Sequence, residues 1–274
     1  AEHAGILDDP ALVVVAVRHD LAQPVDWGEA QYAAGHLPGA RFAHLDRDLS
    51  GPKTGRNGRH PLPAPQEAAA YFGRIGIDDA SQVVAYDQGS GMFASRLWWM
   101  LRWLGHERVA VLDGGFDKWR GESRPVTTDV PAPAPRTFHV GAMLPTASVE
   151  DVLQSLPTHA RFIVDARAPE RYRGEVEPMD PVAGHIPGAH NWPYARNLNP
   201  DNTWKSPAAL AAAFAEFLGP TPPSLVVHHC GSGVTACHNI LAMVHAGYPA
   251  TTLFPGSWSE WVADRSRPIA TGER

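Results

Sequence analysis

The hexapeptide Gly-His-Leu-Pro-Gly-Ala at residues 35–40 returns almost unchanged as Gly-His-Ile-Pro-Gly-Ala at residues 184–189. An apolar run that ends in arginine precedes each copy, VVVAVR at 13–18 and FIVDAR at 162–167. A repeated hexapeptide alone is a weak signal, but a repeat that extends to its surroundings indicates that a whole unit of the fold is written twice.

Further landmarks recur in the same order after each hexapeptide. A second apolar run with a glycine-containing loop occupies residues 83–91 in the first half and 226–233 in the second. The segment DGGFDKW at 113–119 then matches PGSWSEW at 255–261. This conserved order over a long span predicts a duplicated domain rather than a short-period solenoid.

A proline-rich stretch separates the two copies. Residues 125–138 read PVTTDVPAPAPRTF, and proline removes backbone donors and fixes φ, which favours an extended linker. We therefore predict a first domain over residues 1–124, a linker over 125–145 and a second domain over 146–274.

Each copy alternates short β-branched runs with helical ones. Residues 225–229 are predicted as a strand, 236–246 as an amphipathic helix, and 208–218 as a helix capped by Ser206 with Pro207 at its first position. Continuous apolar strands that alternate with helices favour a parallel sheet covered on both faces. The predicted fold class is α/β: two tandem domains, each a mostly parallel sheet with helices on both faces.

Composition limits the partners of the chain. The net charge of −6 over 274 residues provides no broad cationic field for nucleic acid or an anionic membrane. The longest apolar stretch, residues 11–17, is too short to span a bilayer. Residues 1–10 show no cationic region before an apolar one, so no secretory signal is predicted there. Only two cysteines occur, which is too few for a disulfide framework and fits a reducing, cytoplasmic location.

The loop that carries chemistry is CGSGVTA at residues 230–236, between a predicted buried strand and a predicted helix. Gly231 and Gly233 permit a tight curve, and the N–H groups of the loop, including those of Val234 and Thr235, can point inward as an anion cradle. The following helix adds the positive end of its dipole. We expect this cradle to stabilise the Cys230 thiolate or a persulfide anion, which makes Cys230 the predicted nucleophile.

Two other kinds of site that could be built on the same residues, a phosphatase site and a metal site, are disfavoured. A cysteine phosphatase needs an arginine six positions after its cysteine, and Ala236 stands there. A metal site is disfavoured because His228 and His229 should point to opposite faces of a strand and no Cys-x2-Cys pair exists. No metal and no organic cofactor is therefore predicted. Cys237 is expected to be buried.

The ordered set of motifs, together with ASRLWWM at 94–100, resembles the rhodanese superfamily, and CGSGVTA resembles the active-site loop of its 3-mercaptopyruvate sulfurtransferases. The resemblance implies that Cys230 takes sulfur from 3-mercaptopyruvate as a persulfide and passes it to thioredoxin, a small thiol or cyanide. Thiosulfate-specific members more often carry two basic residues where this chain has Gly231 and Ser232, so thiosulfate is the alternative donor. A persulfide carrier that does not turn over is a second alternative.

The resemblance also implies a proton relay in which Ser232, His60 and Asp46 take part. The competing interpretation of Ser232 is a hydroxyl that caps the following helix. For His60 and Asp46, it is a position in a surface loop.

Arg171 matches the family arginine that binds the carboxylate of the donor, for which a guanidinium is well suited. Family members usually carry a second arginine where this chain has Met179-Asp180-Pro181. Arg173, Arg59 and Arg96 are the candidates that could replace it.

Other parts of the repeat are assigned structural roles. Asp87 stands where Cys230 stands in the second copy, and a carboxylate cannot hold a sulfane sulfur, so the first domain is predicted to be inactive. His36 and His185 are expected to bond to the backbone. Three tryptophans of the first domain, Trp98, Trp99 and Trp103, are expected in its core.

Overall fold

A computed structural model describes Asp9 and residues 11–273, which divide into two compact units. The first comprises the described residues up to Gly51, residues 63–143 and residues 200–203. The second comprises residues 52–62, 144–199 and 204 onward. The segment 1–10, from which the absence of a secretory signal was predicted, lies outside the described residues except for Asp9, as does Arg274.

The first unit holds a parallel sheet with the strand order β2-β1-β3-β4. Its strands are β1 (Leu12–Ala16), β2 (Arg41–Phe42), β3 (Gln82–Tyr86) and β4 (Val109–Val111). Its helices are α1 (Trp27–Ala34), α2 (Pro65–Arg74), α3 (Ala94–Trp103) and α4 (Gly115–Gly121).

The second unit repeats this sheet as β6-β5-β7-β8, again with every pairing parallel. Its strands are β5 (Phe162–Asp165), β6 (His190–Asn191), β7 (Val226–His229) and β8 (Thr252–Leu253). Its helices are α5 (Val149–Ser155), α6 (Pro169–Tyr172), α7 (Pro207–Leu218), α8 (Thr235–His245) and α9 (Ser257–Trp261). Short 3-10 turns lie at Leu156–Thr158, Tyr194–Asn197 and Pro223–Leu225.

Both faces of the second sheet are covered, as the continuous apolar strands predict. Ile163 and Val227 belong to a core cluster with residues of α5, α6 and α9. Val164 and Val226, one position away on the same strands, belong to a second cluster with residues of α7 and α8. Because successive strand residues point to opposite faces, these clusters occupy the two sides of one sheet. The predicted fold class is confirmed.

The predicted elements of the second half agree with the structure to within one residue at most ends. The helix α7 begins at Pro207, and the Ser206 hydroxyl accepts from the N–H of Ala209, as the capping pattern predicts. The predicted strand loses Leu225, which ends a 3-10 turn. The predicted tryptophan core is also confirmed, since Trp98, Trp99 and Trp103 are buried.

The repeated hexapeptide makes the same turn in both units. His36 bonds through Nδ1 to the Tyr32 carbonyl at 2.8 Å, and His185 bonds to the Tyr172 carbonyl at 2.7 Å. Each imidazole also stacks on that tyrosine ring, with centroids 3.9 and 3.8 Å apart. The prediction that both histidines are tied to the backbone is confirmed.

An arginine at the end of the first strand of each unit is fastened to the same turn. Arg18 Nη1 donates to the Gly35 carbonyl at 2.9 Å, and Arg167 Nη2 donates to the Gly184 carbonyl at 2.7 Å. Both arginines are buried. This explains why an arginine ends the apolar run in each copy.

Residues 125–143 contain no helix or strand apart from an isolated bridge between Thr127 and His36. They pack along the first unit, where the Arg136 N–H donates to the Gly73 carbonyl at 2.8 Å. In the part of the chain that the structure describes, no helix is long and apolar enough to cross a membrane.

Gly184 should tolerate no side chain. It has φ of +120°, and a Cβ placed on it would lie 2.5 Å from the Ala270 carbonyl oxygen. Gly184→Ala should therefore lower the free energy of unfolding by about 2 kcal/mol, through backbone strain and collision. Gly121→Ala is the matched control, because nothing lies within 4 Å of its Cβ position. Urea unfolding followed by tryptophan fluorescence measures both, and equal midpoints would contradict this reading of the turn.

Candidate active site

Cys230 lies directly after β7, at the carboxyl end of a central strand of the second sheet. It is a free cysteine and only 2% exposed. Its N–H donates to Ser257 Oγ at 3.1 Å, and its carbonyl accepts from the Trp258 N–H at 3.0 Å. Both partners belong to the start of α9, so a second element fixes the backbone of Cys230.

Ser257 is held in an unusual backbone conformation at this contact. Its φ is +55°, a region that residues other than glycine rarely adopt. Its hydroxyl accepts from Cys230 and donates to the Phe254 carbonyl at 3.0 Å. Strain of this kind persists where surrounding structure enforces it, often at functional sites. Ser257 was not among the predicted site residues, although it lies in the PGS segment that matches DGG of the first half.

The two glycines of the loop have different roles. Gly233 has φ of +76°, and a Cβ there would lie 2.3 Å from the Pro255 carbonyl oxygen. A Cβ on Gly231 would instead lie 2.7 Å from Arg59 Nη2 and 3.5 Å from Arg171 Nη2. Gly233 therefore permits the tight curve, while Gly231 leaves room for two guanidinium groups beside Cys230.

Ser232 contacts His60 inside the second unit. Ser232 Oγ lies 2.8 Å from His60 Nδ1, and both side chains are about 95% buried, with 5% exposure each. The residue at the N-cap of α8 is Val234, followed by the half-buried Thr235, and no side chain caps this helix. The hydroxyl of Ser232 is thus engaged by an imidazole rather than by the helix terminus.

His60 reaches this position because residues 52–62 pack with the second unit. The Arg59 N–H donates to Ser259 Oγ at 3.0 Å and thereby fixes this segment to α9. The sequence did not predict that a piece of the first half would belong to the second compact unit. Asp46 lies in the first unit, where its N–H donates to His44 Nδ1 at 3.1 Å.

Two arginines and two buried carboxylates form a network beside the loop. Arg171 donates to Glu177 through Nε at 3.2 Å and Nη2 at 2.6 Å, and its Nη2 lies 3.5 Å from Asp180 Oδ2. Arg59 Nη1 forms an ion pair with the other oxygen of Asp180. The side chains of Glu177 and Asp180 are each 3% exposed. Burial raises the pKa of Asp180, and the hydrogen bond and charge of Arg59 oppose this effect.

The other two arginines considered as carboxylate ligands lie elsewhere. Arg173 forms ion pairs with Glu175 at 2.7 Å and Glu273 at 3.7 Å. Arg96 belongs to the first unit, where its fully buried guanidinium donates to the Leu49 carbonyl at 3.2 Å. Of the three candidates, Arg59 is the one that the structure places against Gly231.

A second ion pair lies at the carboxyl ends of the strands. Arg167 contacts Asp165 at 2.7 Å and Glu177 at 3.2 Å, and all three side chains are buried. Burial disfavours the charge on Asp165, but Arg167 and then His229 lower its pKa to about 2. Burial lowers the pKa of Arg167, but the charges of Asp165, Glu177 and Cys230 raise it. Arg167 therefore keeps its positive charge while buried at the carboxyl ends of the strands, a role that was not predicted from the sequence.

The two histidines of β7 are both buried. Burial lowers the pKa of His228 to about 3, so its ring is neutral at physiological pH, and burial also lowers the pKa of His229. Among the described residues, no group of three or more histidine, cysteine or acidic side chains could hold a metal ion.

The first unit shows what the repeated loop can bind. The Asp87 carboxylate, which follows β3, accepts from the N–H groups of Gly89, Gly91, Phe93 and Ala94 at 2.8–3.2 Å. Burial raises the pKa of Asp87, and these four hydrogen bonds act in the opposite direction. The loop is an anion cradle, and in this unit a side chain of the chain itself fills it.

The two loops also share one hydrogen bond outside the cradle. Ser95 Oγ donates to the Gly91 carbonyl at 2.6 Å, and Cys237 Sγ contacts the Gly233 carbonyl at 3.2 Å. Both glycines have φ near +76°. Cys237 therefore lies in the first turn of α8, buried, in the place of a structural serine.

Known proteins share this architecture. The rhodanese-like domain family matches residues 1–122 and 148–264.

The chain belongs to the rhodanese family.

A protein of Pseudomonas aeruginosa named "Probable 3-mercaptopyruvate sulfurtransferase" is 44% identical over 276 residues, which cover 98% of this chain and 96% of that protein. The thiosulfate sulfurtransferase of Cricetulus griseus is 37% identical over 241 residues, covering 84% and 78% of the two chains. The structure of 3-mercaptopyruvate sulfurtransferase from Leishmania major matches with a TM-score of 0.81 and 31% identity, covering 94% and 72%. The chain is therefore a sulfurtransferase.

Asp87→Asn should destabilise the first unit by about 3 kcal/mol, because an amide supplies only one acceptor oxygen for four buried N–H groups. The unfolding midpoint of this rhodanese variant in urea measures the loss. Asp113→Asn is the control, since the side chain of Asp113 is 51% exposed and should change stability by less than about 0.5 kcal/mol. If both variants unfold like the parent protein, the cradle does not depend on a carboxylate.

Proposed function

We propose that the chain transfers sulfur from 3-mercaptopyruvate to a thiol or cyanide through a persulfide on Cys230. The observation that carries this proposal is the Ser232–His60 contact beside the buried cysteine. Thiosulfate releases sulfite without needing a proton on carbon, whereas mercaptopyruvate releases an enolate that must gain one. A hydroxyl and an imidazole at hydrogen-bonding distance are suited to supplying that proton.

In the first step, the Cys230 thiolate attacks the donor sulfur. The bond between that sulfur and C3 of the donor breaks, and its electron pair becomes the pyruvate enolate. The proton of the donor thiol passes through Ser232 and His60 to C3, which gives pyruvate and leaves a persulfide anion on Cys230. Atoms and charge balance without an external oxidant or reductant.

The persulfide anion requires stabilisation, and the first repeat indicates which groups would provide it. Counted from the matching glycines Gly91 and Gly233, the N–H groups of Gly91, Phe93 and Ala94 correspond to those of Gly233, Thr235 and Ala236. The second loop is one residue shorter, so the N–H of Gly231 lies one position nearer to Cys230 than the N–H of Gly89 lies to Asp87. A carboxylate oxygen and the outer sulfur of a persulfide both lie two bonds beyond Cβ. We infer that the second cradle holds the outer sulfur as the first holds the carboxylate. Val234, at the N-cap of α8, completes the loop around it.

Substrate binding follows from charge. Arg171 Nη2 lies 3.5 Å from the position that a Cβ on Gly231 would occupy, and Arg171 would bind the donor carboxylate. In the second step, an acceptor thiolate attacks the outer sulfur and Cys230 leaves as a thiolate. Thioredoxin, a small thiol and cyanide are the proposed acceptors.

The first domain, with Asp87 in the place of the nucleophile, would take no sulfur. Asp46 as a third relay member and a cytoplasmic location stay predictions from the sequence.

Comparison of kcat/KM for 3-mercaptopyruvate and thiosulfate tests the donor, with pyruvate and sulfite as the measured products. We expect mercaptopyruvate to be favoured, and Cys230→Ser to abolish both reactions and the added mass of one sulfur atom on the protein. Cys237→Ser is the control, because its thiol bonds a carbonyl and should be dispensable. A stable persulfide on Cys230 without turnover of either donor would leave only a sulfur carrier.

Ser232→Ala should lower kcat/KM for mercaptopyruvate about 100-fold and that for thiosulfate by less than about threefold, since only the first donor needs protonation at carbon. His60→Ala should show the same bias. Ser266→Ala, at an exposed turn, serves as the control. Equal losses with both donors would argue against a proton relay and for a purely structural contact.

A further inference from the structure

The donor site has a second guanidinium group that comes from a distant part of the sequence. Arg59 and Arg171 both approach the Cβ position of Gly231, at 2.7 and 3.5 Å. Arg59 Nη1 is paired with Asp180, but its Nε is buried and has no hydrogen-bond partner among the described residues. Buried donors of this kind are costly unless an acceptor reaches them. An anion bound beside Cys230 would supply that acceptor.

Asp180 holds the two guanidinium groups together. One of its carboxylate oxygens pairs with Arg59 and the other lies 3.5 Å from Arg171. Its own N–H donates to Glu177 at 3.1 Å, which fixes the turn that presents it. Asp180 therefore works as a positioning residue for Arg59.

The charge of this network is balanced before any donor arrives. Three arginines, Arg59, Arg171 and Arg167, bring three positive charges, and three nearly fully buried carboxylates, Glu177, Asp180 and Asp165, bring three negative ones. The site thus offers directed N–H donors without a net positive field. Such a site suits a singly charged carboxylate, whereas a dianion such as thiosulfate meets uncompensated repulsion from Asp180 and Glu177.

Resting on the proposed function, we propose that Arg59, positioned by Asp180, is the second anion-binding residue of the donor site. We further propose that Asp180 selects singly charged 2-oxo acid thiols over doubly charged donors. The network explains how an aspartate can belong to a site that binds a carboxylate. Asp180 supplies no positive charge itself and recruits one from residues 52–62.

The test measures binding without turnover, by calorimetry on the full chain carrying Cys230→Ser, with mercaptopyruvate and thiosulfate as probes. In that background, Arg59→Gln should weaken mercaptopyruvate binding about tenfold, and Arg59→Lys should restore part of the loss. Arg173→Gln is the matched control, because Arg173 pairs with Glu175 and Glu273 and should leave Kd unchanged. Equal Kd values for Arg59→Gln and Arg173→Gln would overturn the role of Arg59.

Asp180→Asn tests the selection, since it removes one charge and keeps an oxygen for Arg59. A Coulomb contribution scales with ligand charge, so the gain in affinity for a dianion should be about the square of the gain for a monoanion. We expect roughly fivefold tighter mercaptopyruvate and roughly 25-fold tighter thiosulfate. Equal factors for both probes would overturn the selection. These binding results stand even if the parent protein turns over neither donor, an outcome that would reject only the proposed function.

Discussion

An anion held by backbone N–H groups at the end of a buried strand is the interaction on which the first repeat depends and, in our proposal, the second. The first repeat makes it visible, because the Asp87 carboxylate accepts four such bonds. Without an anion, the cradle would bury N–H donors that lack an acceptor, at a cost of about 1–3 kcal/mol each. The second repeat has the corresponding strand, a glycine with the same positive φ and the corresponding helix, but its loop is one residue shorter and a thiol stands in the place of the carboxylate. A duplicated loop that stabilises a fixed charge in one copy can thus stabilise a reactive one in the other.

Different residues around Cys230 fix its backbone and supply positive charge. Ser257 and Trp258 fix its backbone, and Arg167 provides positive charge from the end of the adjacent strand. Arg167 remains charged while buried because Asp165 and Glu177 accompany it. Buried ion pairs of this type add little stability but hold groups in one geometry. Here they place a permanent cation beside a cysteine while leaving the loop itself without basic side chains.

Much of the fold could be predicted from the sequence because the motifs that indicate it are local and occur twice. The capping of α7 at Ser206 and the parallel strands β5 and β7 follow from pattern alone. The prediction that Cys230 is the nucleophile also rests on local sequence, since a cysteine between a buried strand and a glycine loop has few structural explanations. The choice of a second arginine for the donor site could not be predicted from the sequence. Arg59, Arg96 and Arg173 were equivalent candidates there, and only their contacts in the structure distinguish them.

The sequence by itself determined the duplicated α/β fold. It also singled out Cys230 as the predicted nucleophile and Asp87 as the residue predicted to make the first loop inert, because each prediction depends on residue type at positions a few residues apart. The tertiary structure decided which charges meet beside Cys230. Residues 52–62 pack with the second unit and bring His60 to Ser232 and Arg59 to Asp180, across separations of more than a hundred residues. No periodic pattern of residues in the sequence predicts contacts over such separations. They arise because burial brings polar side chains together and each must then find a partner of opposite charge or hydrogen-bonding role.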